Sequence, residues 1–152
     1  IGLAFVEVAK ELGIKVNLEM KTWDNIVGEI HSEAVLFGFG SGDPSELYNL
    51  YSSKAAGGGI PWDNAGYYKN ETVDSYIDKA FASENEEEAL DFWKKAQWDG
   101  TTGFSNKGDA TYAWLVNVNH VYIMSEDLDI GTPVVQPHGG RIFDNVTEWS
   151  WK

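Results

Sequence analysis

Cysteine is absent, so neither a disulfide nor a thiolate metal site enters the reading. That absence suits an exported protein that avoids stray oxidation, although cytosolic chains share it. Basic residues are scarce: 11 Lys and Arg stand against 24 Asp and Glu, for a formal net charge of -13, and Arg141 is the sole arginine. Nucleic-acid binding neutralises phosphates with clustered cations, which argues against that class, and an anionic membrane surface is disfavoured for the same reason. No apolar run approaches the ~18 residues a helix needs to cross a bilayer. The chain opens at Ile1 without a basic segment followed by an apolar core. The expectation is that a targeting signal has been removed, or that the chain begins inside a longer protein. Nucleotide fingerprints of the GxGxxG or GxxxxGK[ST] kind are missing, as are a GxSxG elbow and any HxxxH or HxH pair.

What is present fits one domain with a core. The 152 residues are 43% hydrophobic and 23% charged, which excludes a disordered tail. Aromatics reach 14%, with seven each of Trp, Tyr and Phe, a richness that suits either a packed core or a site that wraps a ligand.

Leu3 to Leu12 has the spacing of a short helix, with Phe5, Val6, Ala9 and Leu12 on one face and Gly13 as its stop. Ile14-Lys15-Val16-Asn17-Leu18-Glu19-Met20-Lys21 alternates apolar and polar, the period of a half-buried strand. Asp24 begins a second helix through Ile26, Val27 and Ile30, and Ala34 to Phe39 is a continuous apolar run expected of a strand covered on both faces. Helix–strand–helix–strand with short links predicts an α/β fold with a mostly parallel sheet flanked by helices. A helix with Leu47, Tyr48, Leu50 and Tyr51 follows, then a Gly-rich surface loop over 53–66, a helix over 72–83, and another opened by Asn85 and Glu88 as a capping box. From Tyr112 to Met124 the chain is β-rich, and such an extended tail wants another surface to pair with.

The 40–44 turn is the most informative feature. It follows the apolar run, and in open α/β sheets ligands bind beyond the carboxyl ends of the strands. Gly40 lets a ligand approach the backbone, while Ser41 and Asp43 offer acceptors for a ligand amine. Asp43 also reads as the cap of the next helix, with Pro44 at its first position and Glu46 completing a capping box. His31, His120 and His138 are scattered, His31 reading as a surface residue, and Asp109 and the Asp127–Asp129 pair lack calcium-loop spacing, so no metal or cofactor is expected. No spacing selects a catalytic carboxylate pair from 24 acids, so no enzyme is expected either. Trp23, Trp62, Trp149 and Trp151 leave an aromatic-rich carbohydrate-binding module or glycosidase as an alternative, beside the reading of each as a packing residue.

The order of motifs adds a resemblance. The Gly-Ile-Lys-Val turn at 13–16, Thr22-Trp23-Asp24, Phe37-Gly38-Phe39-Gly40-Ser41-Gly42-Asp43-Pro44, the run from Asn64 to Ala80 and Phe92-Trp93-Lys94-Lys95-Ala96-Gln97 together resemble the C-terminal part of the family 5 extracellular solute-binding proteins. These serve ABC importers of peptides and nickel. The resemblance implies a type II periplasmic-binding-protein-like lobe over 1–112, a return segment over 113–152, and a piece of a larger two-lobed protein. It implies an extracytoplasmic location, in the periplasm or as a cell-surface lipoprotein. The implied partners are a small peptide, a membrane permease and the missing N-terminal lobe. Trp23 stands where oligopeptide-binding members place a pocket-lining Trp, and Phe39 replaces the aromatic of their Gly-Trp pair. Asp43 stands one position late for the acid that pairs with a peptide amino terminus. Arginines that some members carry nearby are missing, with Ile30 and Leu36 in the vicinity, and the 52–66 loop lacks the histidine of nickel-binding members, leaving nickel or a metal chelate as the alternative within the family. The implied ligand site is Trp23, Phe39, Gly40, Ser41 and Asp43.

Overall fold

A computed structural model describes residues 1–32, 34–36, 38, 40, 43–117, 121–132 and 142–152. Five helices appear in it: α1 (Gly2–Glu11), α2 (Trp23–Glu29), α3 (Glu46–Tyr51), α4 (Glu71–Ala82) and α5 (Glu86–Gln97). The two longest start on side-chain caps. Asn70 Oδ1 accepts from the backbone N–H groups of Thr72 and Val73, and Asn85 Oδ1 from those of Glu87 and Glu88. These bonds satisfy donors that have no partner inside the helix. Three glutamates in the first turn of α5 and Lys94 and Lys95 in its last complement the helix dipole.

The core forms where α3, α4 and α5 meet. Leu50 and Tyr51 of α3, Val73, Ile77 and Ala80 of α4, and Trp93 and Ala96 of α5 are buried together with Tyr68 and Phe104. Each large apolar side chain enclosed this way contributes roughly 1.5–3 kcal/mol. Tyr51 is the hub: its ring stacks on Phe104 at 3.8 Å and meets Tyr68 and Tyr112 edge-on, while its hydroxyl accepts from the Trp114 indole at 3.1 Å. The segment after α5 folds back along it, with the N–H groups of Phe104 and Ser105 donating to Ala96 and Gln97. Close approach requires glycine here, since a Cβ on Gly103 would stand 2.2 Å from the Gln97 carbonyl oxygen and one on Gly108 2.0 Å from that of Gly103. Tyr68 Oη and Asn70 Nδ2 both donate to Asp109, at 2.7 and 2.8 Å, and close the seam.

The expected mostly parallel sheet flanked by helices is not what the chain adopts. The sheet among the described residues is one antiparallel ladder of two residues a side, β1 (Leu128–Asp129) with β2 (Ser150–Trp151), in register Leu128↔Trp151. Residues 14–22 run without a ladder, and so do the described parts of the 34–39 run; Phe37 and Phe39 lie outside the described residues. The physical reason is that a strand satisfies its backbone only through a neighbouring strand, and among the described residues neither stretch is paired in a ladder, although Leu18 packs against Gly2 of α1. The period-2 pattern reports which faces want burial, not that a partner is at hand. The tail behaves likewise over 113–117 and 121–124, then closes on itself. A kinked 3-10 helix, Ile142–Glu148, buries Asn145, whose amide donates to the carbonyls of Ile130 and Thr132 and whose Oδ1 accepts from the Trp149 indole. No described helix is long and apolar enough to cross a membrane.

Candidate functional site

The loop between α3 and α4, glycine-rich and irregular in sequence, is held firmly. Asn64 is its pin: buried, with φ at 39°, it donates through Nδ2 to the carbonyls of Ser52 and Tyr68 and accepts at Oδ1 from the Tyr68 N–H. Its own N–H reaches back to the Asn49 carbonyl of α3 at 2.7 Å. At the loop's start, Ser53 donates through N–H and hydroxyl to Asp74 of α4, and Lys54 pairs with Asp78.

α2 rests on this loop and packs on none of the other helices. Trp23, the first residue of α2, meets Trp62 with ring centroids 6.0 Å apart and planes tilted by 45°. Just beyond α2, the His31 ring lies 4.9 Å from that of Tyr67, and its Nδ1 stands 2.9 Å from the Ala65 carbonyl oxygen. A carbonyl only accepts, so Nδ1 carries the proton and donates. The result is two aromatic pairs between the α2 region and this loop, both open to solvent: Trp23 is 50% exposed, Trp62 37% and Tyr67 58%. Tyr67 holds φ at 51°, a left-handed backbone that costs a bulky residue about 1–2 kcal/mol. Such strain persists where surrounding bonds over-determine it, as they do beside Asn64.

The implied site residues divide. Trp23 is displayed at the surface, and its ring neighbour is Trp62, 39 residues away in sequence. Gly40 is half-buried and Asp43 exposed, while Phe39 and Ser41 lie outside the described residues. Asp43 Oδ1 accepts from the Ser45 N–H at 2.8 Å in the turn that leads into α3. Hydrogen bonds from the Ser45 N–H and then the Ser45 hydroxyl hold its carboxyl below the usual carboxylate range, so it is an anion at neutral pH. Glu46, expected to complete a capping box, instead accepts from the Asn49 amide. Of the histidines weighed for metal, His120 and His138 lie outside the described residues, and among those described no group of three His, Asp or Glu converges on a metal position. Trp62 and Tyr67 are the surface residues that sequence reasoning did not join to Trp23. Their signal was the paired Asn64 and Asn70 around Tyr67-Tyr68, which fixes the loop but is unreadable without knowing what Asn64 bonds.

Chemically, the arrangement offers exposed ring faces and an anionic turn. No family model matches the chain. It is similar to Protein XP55 of Streptomyces lividans, with 31% identity over 130 residues, covering 84% of this chain and 22% of that protein. The chain thus spans just over a fifth of the length of the curated relative it matches.

Proposed function

We propose that the chain is part of an extracytoplasmic solute-binding protein of the family 5 kind, which captures peptides for an ABC importer. The observation that carries this reading is Trp23: half-exposed, with its ring set against Trp62 of a loop that Asn64 pins. A tryptophan buries 150–250 Å² in a typical core, so leaving one ordered and half in water forfeits burial that a ligand restores. Asp43, ionised at neutral pH, suits a peptide ammonium, and the net charge of -13 favours long-range attraction of amine-bearing ligands. The second wall of the cleft comes from a further lobe of the same protein. Large apolar side chains left in water among the described residues, such as Met20 at 99% and Ile123 at 98% exposure, support this. The remaining partner is a membrane permease that recognises the loaded form.

Mass spectrometry of the natively purified protein is expected to find co-bound peptide, and a peptide library is expected to raise its melting temperature. Absence of both sinks the reading. The open Trp23–Trp62 pair also favours a second reading, stacking on sugar rings. Quenching of tryptophan fluorescence by oligosaccharides but not by peptides would select it.

A further inference from the structure

We propose that Trp62 is the selectivity element of this face: with Trp23 it forms an open, angled pair of rings that takes a planar aromatic side chain of the bound peptide. The proposal rests on the peptide reading above and adds to it the class of side chain preferred. Three features of the geometry carry it.

The first is spacing. A flat ring held between two others needs about 7 Å between their planes, twice the ~3.5 Å of carbon–carbon contact. Trp23 and Trp62 have centroids 6.0 Å apart and meet at 45°, so nothing slots between them. A ligand ring therefore lies on their outward faces, where exposure remains at both residues. The second is rigidity. Trp62 stands two residues before Asn64, and the Asp63 N–H donates to the Ile60 carbonyl at 3.0 Å, closing the turn that presents the indole. A ring fixed before the ligand arrives loses little freedom on binding. The third is the chemistry around the pair. A second aromatic pair, His31 and Tyr67 with ring centroids 4.9 Å apart, bridges the residues just after α2 to the same loop. Asp24 and Asp63 follow the two tryptophans in sequence, and a chain of net charge -13 disfavours an acidic side chain at this place.

The test uses the full-length protein expressed from its own gene, with calorimetric titration of Ala-Trp-Ala, Ala-Phe-Ala and Ala-Gly-Ala into wild type, Trp62→Ala and Trp62→Phe. Wild type is expected to prefer the aromatic peptides over Ala-Gly-Ala. Trp62→Ala is expected to cut that preference by about threefold to tenfold, the size of one aromatic pair, while Ala-Gly-Ala affinity stays within about twofold. Trp62→Phe is expected to keep most of the preference. An unchanged ratio in Trp62→Ala overturns the proposal, as does an equal loss for all three peptides at an unchanged melting temperature. If wild type binds none of the three, the peptide reading itself fails, and that outcome is distinct from either of the others.

Discussion

Ile77 and Ile123 are the same residue in opposite circumstances: the first, in α4, has no exposed surface, and the second, in the tail, is 98% exposed. The contrast runs through the molecule. The helical body from α3 to Tyr112 encloses one apolar cluster and links its loops with side-chain hydrogen bonds. The flanking segments, 1–22 and 113–124, carry equally apolar residues such as Leu3, Met20 and Val121 out in water. Helices supply their own backbone partners, so α4 and α5 need only one buried stripe each to be stable. Extended segments need a paired strand, and among the described residues 14–22, 113–117 and 121–124 stand in no ladder.

Substitutions sharpen that division. Ile77→Ala should destabilise the body by about 2–5 kcal/mol in a denaturant titration, because the cavity it leaves is fully enclosed. A cost below 1 kcal/mol would mean that the body is not the cooperative unit. Asn64→Ala should cost about 1–3 kcal/mol, since it leaves buried carbonyls of Ser52 and Tyr68 without a donor. The same variant should loosen Trp62, read as a shift of tryptophan emission.

pH probes the body at both ends of the scale, through one tyrosine and one carboxylate. Burial, and then the bond to Asp109, raises the Tyr68 phenol well above its ordinary 10.0. Its contribution to stability is whole below pH 10 and declines as pH rises toward the folded-state value. Tyr68→Phe should therefore melt with less alkaline sensitivity than wild type; an identical pH profile would contradict this. At the acid end, bonds from the Thr102 and Thr101 N–H groups hold Asp99 below 3.8. Its contribution is present above pH 3.8 and fades as pH falls through the folded value, so Asp99→Asn should flatten the acid limb slightly. The smallest effect belongs to the flank: Ile123→Ser should change stability by less than about 0.5 kcal/mol. A larger loss would place the tail against a covering surface.

Legibility followed the same division. The periodicity of Val73, Tyr76, Ile77 and Ala80 predicted α4 to within a residue at each end, and Asn85 marked the start of α5. The alternation of 14–21 is as regular, yet it yielded no strand, because a ladder depends on a second segment that the pattern cannot name. The site was legible only in pieces. Trp23 is identified by its place in a motif, but its meeting with Trp62 depends on a loop shaped by Asn64, and no local spacing records a contact across 39 residues.

The seam behind α5 has an evolutionary corollary. With backbone oxygens standing within 2.2 Å of where side chains would begin at Gly103 and Gly108, neither position has room to drift, whereas the solvent-facing residues of the flanks are free to. Among descendants of a common ancestor these two glycines should be the slowest-changing letters in the chain, even where every ligand-facing ring has been exchanged for a new diet.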